Sequence, residues 1–233
     1  MRYLLLSIFL LQFHAVLAMA PKINLDRAID NAIKRYALHE EPALKKKFNQ
    51  RGVSYPPQEI ALLAFKKERH IQLWARNTNK PWRHIHTYPL TAFSGRLGPK
   101  LKEHDLQIPE GIYRLTTFNP FSAHHLSMMI NYPNHFDRLQ ASKDGRRNLG
   151  GEIFLHGKST SVGCLAVGDT AINQLFLLVR RVGLNHVRVI IAPNDLRLNK
   201  PATSMFAQPR WLPELYKNIA QALKPFPVKK QIT

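Results

Sequence analysis

Residues 150–183 read GGEIFLHGKSTSVGCLAVGDTAINQLFLLVRRVG. The stretch opens as a short apolar strand that stops at Gly157. It closes as an amphipathic helix, because Ile172, Leu175, Phe176, Val179 and Val182 recur at helical spacing and form one apolar stripe. Asp169 reads as the N-cap of that helix. Arg180 and Arg181 fall in its last turn, before Gly183, where cations complement the carbonyl end of the helix. Between strand and helix lies the only cysteine of the chain, Cys164, which follows the pair His156-Gly157.

Short strands flank this unit. EIALLAFKKERHIQLWAR, residues 59–76, reads as two strands around the polar turn Lys66–Arg69. WRHIHTYPL, residues 82–90, continues in extended form, with Trp82, His84, His86 and Tyr88 on one face. His84 and His86 lack a third ligand at matching spacing, so they read as strand residues and not as a metal edge. A loop rich in Gly and Pro follows, then strands over 112–117, 124–133 and 186–193. Residues 22–50 read as a helical lead-in interrupted at Pro42, and PELYKNIAQAL, residues 213–223, as a short helix. The expected fold class is mainly β with helical additions.

The N-terminus, MRYLLLSIFLLQFHAVLA, has a basic start, an apolar run from Leu4 to Leu11 and small residues around Val16 and Ala18. That layout predicts a secretory signal peptide over 1–18 and export to the periplasm, with an uncleaved N-terminal anchor as the alternative. No stable membrane span is expected. The 34 Lys and Arg against 15 Asp and Glu give a formal charge of +19, which favours an anionic partner. Outside the cytoplasm the candidates are cell wall, anionic lipid and nucleic acid. No nucleic-acid motif is present, so no nucleic-acid partner is expected.

One cysteine cannot form an internal disulfide, and a leftover thiol in an exported chain is either inert and buried or reactive. The loop after His156 can return Cys164 to the strand end and set sulfur near imidazole. A neighbouring imidazolium would lower the thiol pKa and make the thiolate the attacking species, with His156 as proton carrier. A backbone carbonyl, that of Gly157, would orient the base. The N–H groups of Gly163 and Cys164 would serve as oxyanion donors. Thr160 and Ser161 read as loop formers or as hydrogen-bonders to substrate.

HGKSTSVGCLAVGD resembles the active-site signature of the L,D-transpeptidase (YkuD-type) catalytic domain. SGRLGPKLKEHDLQIPEGIYRL (94–115) and NPFSAHHLSMMINYPNHFD (119–137) are similar to the YafK-like murein branch of that family. The resemblance implies a β-sandwich-type catalytic domain over residues 56–192, after a helical lead-in over 19–55 and before a basic Pro/Lys-rich extension over 193–233. It implies Cys164 as nucleophile, His156 as base, Gly157 as orienter and Gly163 in the oxyanion loop. It also implies a peptidoglycan stem peptide as acyl donor, attacked at the L-centre of its diamino acid with release of D-alanine, and no cofactor or metal. Gly98 and Lys100 then become candidates for contact with the stem peptide or the anionic wall, and His125 for lining the cleft beside His124 and Ser127. Three departures from the common pattern bear on the acceptor: Val162 stands where the family has His, Ala166 where many members have Arg, and the His-to-Cys spacing is short. Hydrolysis by the same site, a non-catalytic wall-binding module and a metal site at Cys164 stand as competing readings.

Overall fold

The computed structural model describes residues 24–204 and 207–228. The leader read in residues 1–18 lies outside them, as does the end of the basic extension. The chain begins with helix α1 (Leu25–Asn49) and continues through strands β1 (Glu59–Phe65), β2 (His70–Arg76), β3 (Arg83–Pro89), β4 (Gly111–Asn119) and β5 (Ser127–Ile130). Helix α2 (His135–Lys143), strands β6 (Phe154–His156) and β7 (Leu165–Ala166), helix α3 (Asp169–Val182), strand β8 (Val187–Ala192) and helix α4 (Leu212–Leu223) complete it.

All eight strands belong to one mixed sheet, in the order β3-β2-β1-β8-β4-β5-β6-β7. β1 sits inside it, antiparallel to β2 and parallel to β8. That position explains its near-continuous apolar sequence, since a strand covered on both faces needs no polar alternation. β4 is the hinge of the curl. Its first half, Gly111–Arg114, pairs with β8, and its second half, from Leu115, pairs with β5, with a register shift between Leu115 and Thr117. The curl brings the two ends of the sheet together: Ala92, just beyond β3, bridges Ala166 in β7.

Two apolar clusters cover the sheet. The larger joins Leu62, Leu73 and Val189 of the sheet to Leu175, Phe176 and Val179 of α3 and to Ile33, Leu44 and Phe48 of α1. The smaller joins Leu63, Trp74 and Ile190 to Leu215, Ile219 and Leu223 of α4. The mainly β architecture with helical additions is therefore the observed one, and both outer helices share the core of the sheet. Among the described residues no helix is long and apolar enough to cross a membrane.

Two local expectations are corrected. α1 runs through Pro42 without ending. Pro42 lies on the exposed side, and burial of Leu44 and Phe48 beyond it holds the helix together despite the missing N–H. Asp169 is the first residue of α3 and not its cap; Gly168, with φ 81°, takes the N-cap position. α2 and β7 escape a reading of periodicity because they are short. α2 nevertheless carries a local signal, a capping box in which Asn134 and Asp137 each accept the other's backbone N–H.

Candidate active site

β6 and β7 run parallel, with Leu155 beside Leu165 and His156 beside Ala166. Alternation along β6 sets Phe154 and His156 on one face, and Cys164 immediately precedes β7 in the neighbouring segment. His156 is buried, and its Nδ1 stands 2.6 Å from the Gly157 carbonyl oxygen. A carbonyl only accepts, so Nδ1 carries the proton and Nε2 is left as the basic nitrogen. Gly157 has no room for a side chain: an added Cβ would lie 2.6 Å from Asp169 Oδ1 and 2.9 Å from the His124 carbonyl oxygen. Asp169 Oδ1 accepts the Lys158 N–H at 2.8 Å, which pins the start of the loop. The exposed His124 ring stacks on His156, with centroids 4.6 Å apart and planes at 34°.

Cys164 is half-buried. Its Sγ accepts the Phe154 N–H at 3.4 Å and directs its own proton toward the Glu152 carbonyl oxygen at 3.8 Å. Among the described residues no hydrogen bond joins the sulfur to the imidazole. Burial pushes the thiol pKa above its ordinary value, outweighing the Phe154 N–H and the Lys100 charge, which pull it down. Burial likewise pushes the His156 pKa down, with His124 acting in the same sense and the Gly157 carbonyl opposing. Both shifts run against a resting thiolate–imidazolium pair. Desolvation disfavours both charges, and no bond between them offsets it.

The loop from Gly157 to Gly163 is tied to the segment that follows β3. The Thr91 N–H donates to the Ala166 carbonyl at 2.9 Å, and the Thr91 hydroxyl to the Lys158 carbonyl at 2.6 Å. The Gly163 N–H donates to Ser94 Oγ at 2.7 Å, so it is already engaged and does not stand open as an oxyanion donor. Gly163 itself has φ 93°, and a Cβ there would lie 3.1 Å from the Gln107 carbonyl oxygen, so both conformation and space call for glycine.

The remaining sequence candidates divide. Ser161 lies in the loop, with its hydroxyl donating to the Cys164 carbonyl at 2.8 Å, and Thr160 Oγ1 lies 3.4 Å from His124 Nδ1. Gly98 is drawn away from the cleft. Its carbonyl accepts from Lys66 Nζ at 2.7 Å and its N–H donates to Glu110 Oε1 at 2.8 Å, both within a buried ion pair. Lys100 is also buried, bound to Asp105 Oδ1 at 2.6 Å and to the Lys102 carbonyl, and it acts on the thiol only as a nearby charge. His125 locks helices together: its Nε2 is 2.7 Å from Asn173 Oδ1 of α3, and its ring meets Tyr36 of α1 edge-on. These three are framework contacts in the structure. Ser94 is the residue at the site that the sequence reading missed. Its only linear signal is its place at the head of the SGRLG loop, and nothing local connects it to a cysteine 70 residues later.

Among the described residues no group of three or more His, Cys, Asp or Glu side chains could hold a metal ion.

Comparison with known proteins gives a consistent picture. The family model "YkuD: L,D-transpeptidase catalytic domain" matches residues 60–191. Proteins of Escherichia coli strains K12 and O157:H7, each named "Putative L,D-transpeptidase YafK", are 27% identical to this chain over 138 residues, 58% of this chain and 52% of theirs. The chain therefore spans about half the length of the curated relatives it matches. Among solved structures, the helical cell shape determining protein Pgp2 from Campylobacter jejuni superposes with a TM-score of 0.50 at 19% identity, over 75% of this chain and 57% of that one. That likeness speaks to the fold alone.

Proposed function

The chain belongs to the L,D-transpeptidase catalytic-domain family, whose model spans more than half of it, and from that premise we propose that it is a cysteine acyltransferase acting on the peptidoglycan stem peptide. Cys164 is the nucleophile and His156 the general base. The reading is supported above all by the 2.6 Å contact between His156 Nδ1 and the Gly157 carbonyl, because it leaves Nε2 free to take a proton.

In this mechanism the Cys164 thiol gives up the Glu152 carbonyl for His156. As its proton passes to Nε2, the sulfur attacks the carbonyl carbon at the L-centre of the diamino acid. The Cys164 N–H, which has no acceptor among the described residues, takes the developing oxyanion. Collapse of the tetrahedral intermediate breaks the amide bond, and His156 returns the proton to the departing D-alanine amine. An acceptor amine then attacks the thioester and loses its proton to His156; the carbon–sulfur bond breaks, His156 returns that proton to the Cys164 sulfur, and the amine leaves with the acyl group. Burial that works against charge on both groups suits this scheme, since proton transfer accompanies attack and no thiolate need be held in a half-buried site.

The partition goes with the function. Residues 56–192 carry the chemistry, helix α1 of the lead-in 19–55 and helix α4 of the extension 193–233 support the sheet, and the leader exports the chain to the periplasm. The charge of +19 holds it to the anionic wall. Mass analysis of stem-peptide products, with and without an added amine, tests the assignment. Cross-linked or amine-exchanged product that disappears in Cys164→Ala is the expected result. Hydrolysed tripeptide alone would replace transfer by carboxypeptidase activity, and no Cys164-dependent product at all would remove the enzymatic reading.

A further inference from the structure

Four groups around Cys164 fit together in only one sense. Ser161 Oγ lies 2.8 Å from the Cys164 carbonyl oxygen, which can only accept, so the Ser161 proton is committed there. Ser161 Oγ also lies 3.2 Å from Ser94 Oγ. With its proton already engaged, Ser161 must accept in that contact, and Ser94 must donate. Ser94 Oγ in turn accepts the Gly163 N–H at 2.7 Å. The bonds therefore run one way: Gly163 N–H to Ser94, Ser94 to Ser161, Ser161 to the Cys164 carbonyl.

We propose that Ser94 is a positioning residue of the thiol-bearing turn, and that with Ser161 it closes a one-way hydrogen-bond circuit that aims the Cys164 N–H at the reacting carbonyl. The geometry gives the reason. The Gly163 N–H belongs to the peptide plane before the Gly163–Cys164 peptide, and the Cys164 carbonyl to the plane after it. The circuit holds both outer planes, so the plane between them, which carries the Cys164 N–H, can turn only by a compensated rotation at Gly163 and Cys164 and not by swinging of the whole turn. Gly163 sits at φ 93°, a conformation only glycine visits freely, and is the residue where the turn would otherwise swing.

Ser94 can do this because its own segment is anchored on both sides. Behind it, Thr91 is bound to Ala166 and Lys158. Ahead of it, Gly98 is held by the buried Lys66–Glu110 pair. Ser161 is on this account a framework group and not a contact to substrate.

The inference rests on the acyl-transfer reading, and its test separates the two. Amide hydrogen exchange at Gly163, read by NMR on the full chain, is compared for wild type, Ser94→Ala and Ser94→Thr, alongside steady-state acyl transfer. In Ser94→Ala, Gly163 exchange should quicken by about tenfold or more as its N–H loses an internal acceptor. The kcat should fall about 10- to 100-fold, short of full loss of an oxyanion donor, with KM within about twofold. Alkylation of Cys164 by iodoacetamide, which forms no oxyanion, should stay within about twofold of wild type. Ser94→Thr, which keeps the hydroxyl, should restore both exchange and kcat. Ser161→Ala cuts the circuit at its other end and should lower kcat while Gly163 exchange stays slow. Unchanged Gly163 exchange in Ser94→Ala, or faster exchange with undiminished kcat, would overturn the proposal. If wild type transfers no acyl group, the parent reading falls, and the exchange rates with their Thr rescue decide the circuit by themselves.

Discussion

His156 Nδ1 lies 2.6 Å from the carbonyl oxygen of Gly157, the next residue in the chain. The imidazole is thus oriented by its own backbone, with no carboxylate bonded to it among the described residues. The arrangement sets the tautomer but supplies no negative charge to stabilise an imidazolium, in keeping with the lowered His156 pKa. His156→Gln is expected to lower kcat by about 10²- to 10⁴-fold, the usual worth of a general base, with the fold retained. Residual turnover within a few-fold of wild type would take the proton-transfer role away from His156.

The titration of Cys164 has a definite sign. Burial raises the thiol pKa, so the neutral form is favoured in the folded protein. Alkylation should follow a single rise with pH whose midpoint lies above that of a free cysteine peptide measured alongside. Stability linked to this group is fully present below the thiol's unfolded pKa and is lost as pH rises through the folded one. A midpoint below neutrality would instead reveal a preformed thiolate–imidazolium pair.

The buried Lys66–Glu110 pair, 3.0 Å apart with both side chains wholly inaccessible, anchors the loop that carries Ser94. Lys66 Nζ also reaches the carbonyls of Gly98 and Ile108, and Glu110 accepts from the Gly98 N–H and the Tyr216 hydroxyl. Lys66→Met strands a carboxylate and should cost about 3–5 kcal/mol in urea unfolding. The double variant Lys66→Met/Glu110→Gln should cost less than the two single changes added together, by about 1 kcal/mol or more. Strict additivity would mean that the two groups do not act as a pair.

Phe48, at the end of α1, is fully buried in the larger core cluster, beside residues of the sheet and α3. If the lead-in helix is an integral layer of the catalytic unit, Phe48→Ala should cost about 3–5 kcal/mol while leaving one cooperative unfolding transition. Two separate transitions, with only the first affected, would make α1 an appendage.

Much of this was legible in the chain itself. The apolar runs of β1 and β8, the period-2 runs of β2 and β3 and the 3.6-residue stripe of α3 depend on neighbours a few residues away, and such patterns survive in linear form. The His156-Gly157 and Gly163-Cys164 pairs were legible for the same reason: each sets a candidate reactive side chain beside a glycine, at Gly157 where a Cβ has no room and at Gly163 where φ is positive. What spacing could not convey is which groups meet across the curl of the sheet. Ser94 reaches Gly163 across 69 residues only because Ala92 bridges Ala166. Gly98, Lys100 and His125 are held by Glu110, Asp105 and Asn173, partners that lie far from them or beyond the reach of local pattern. The charge state of Cys164 likewise belongs to the tertiary structure, because desolvation depends on everything packed around the sulfur and not on the residues beside it in the chain.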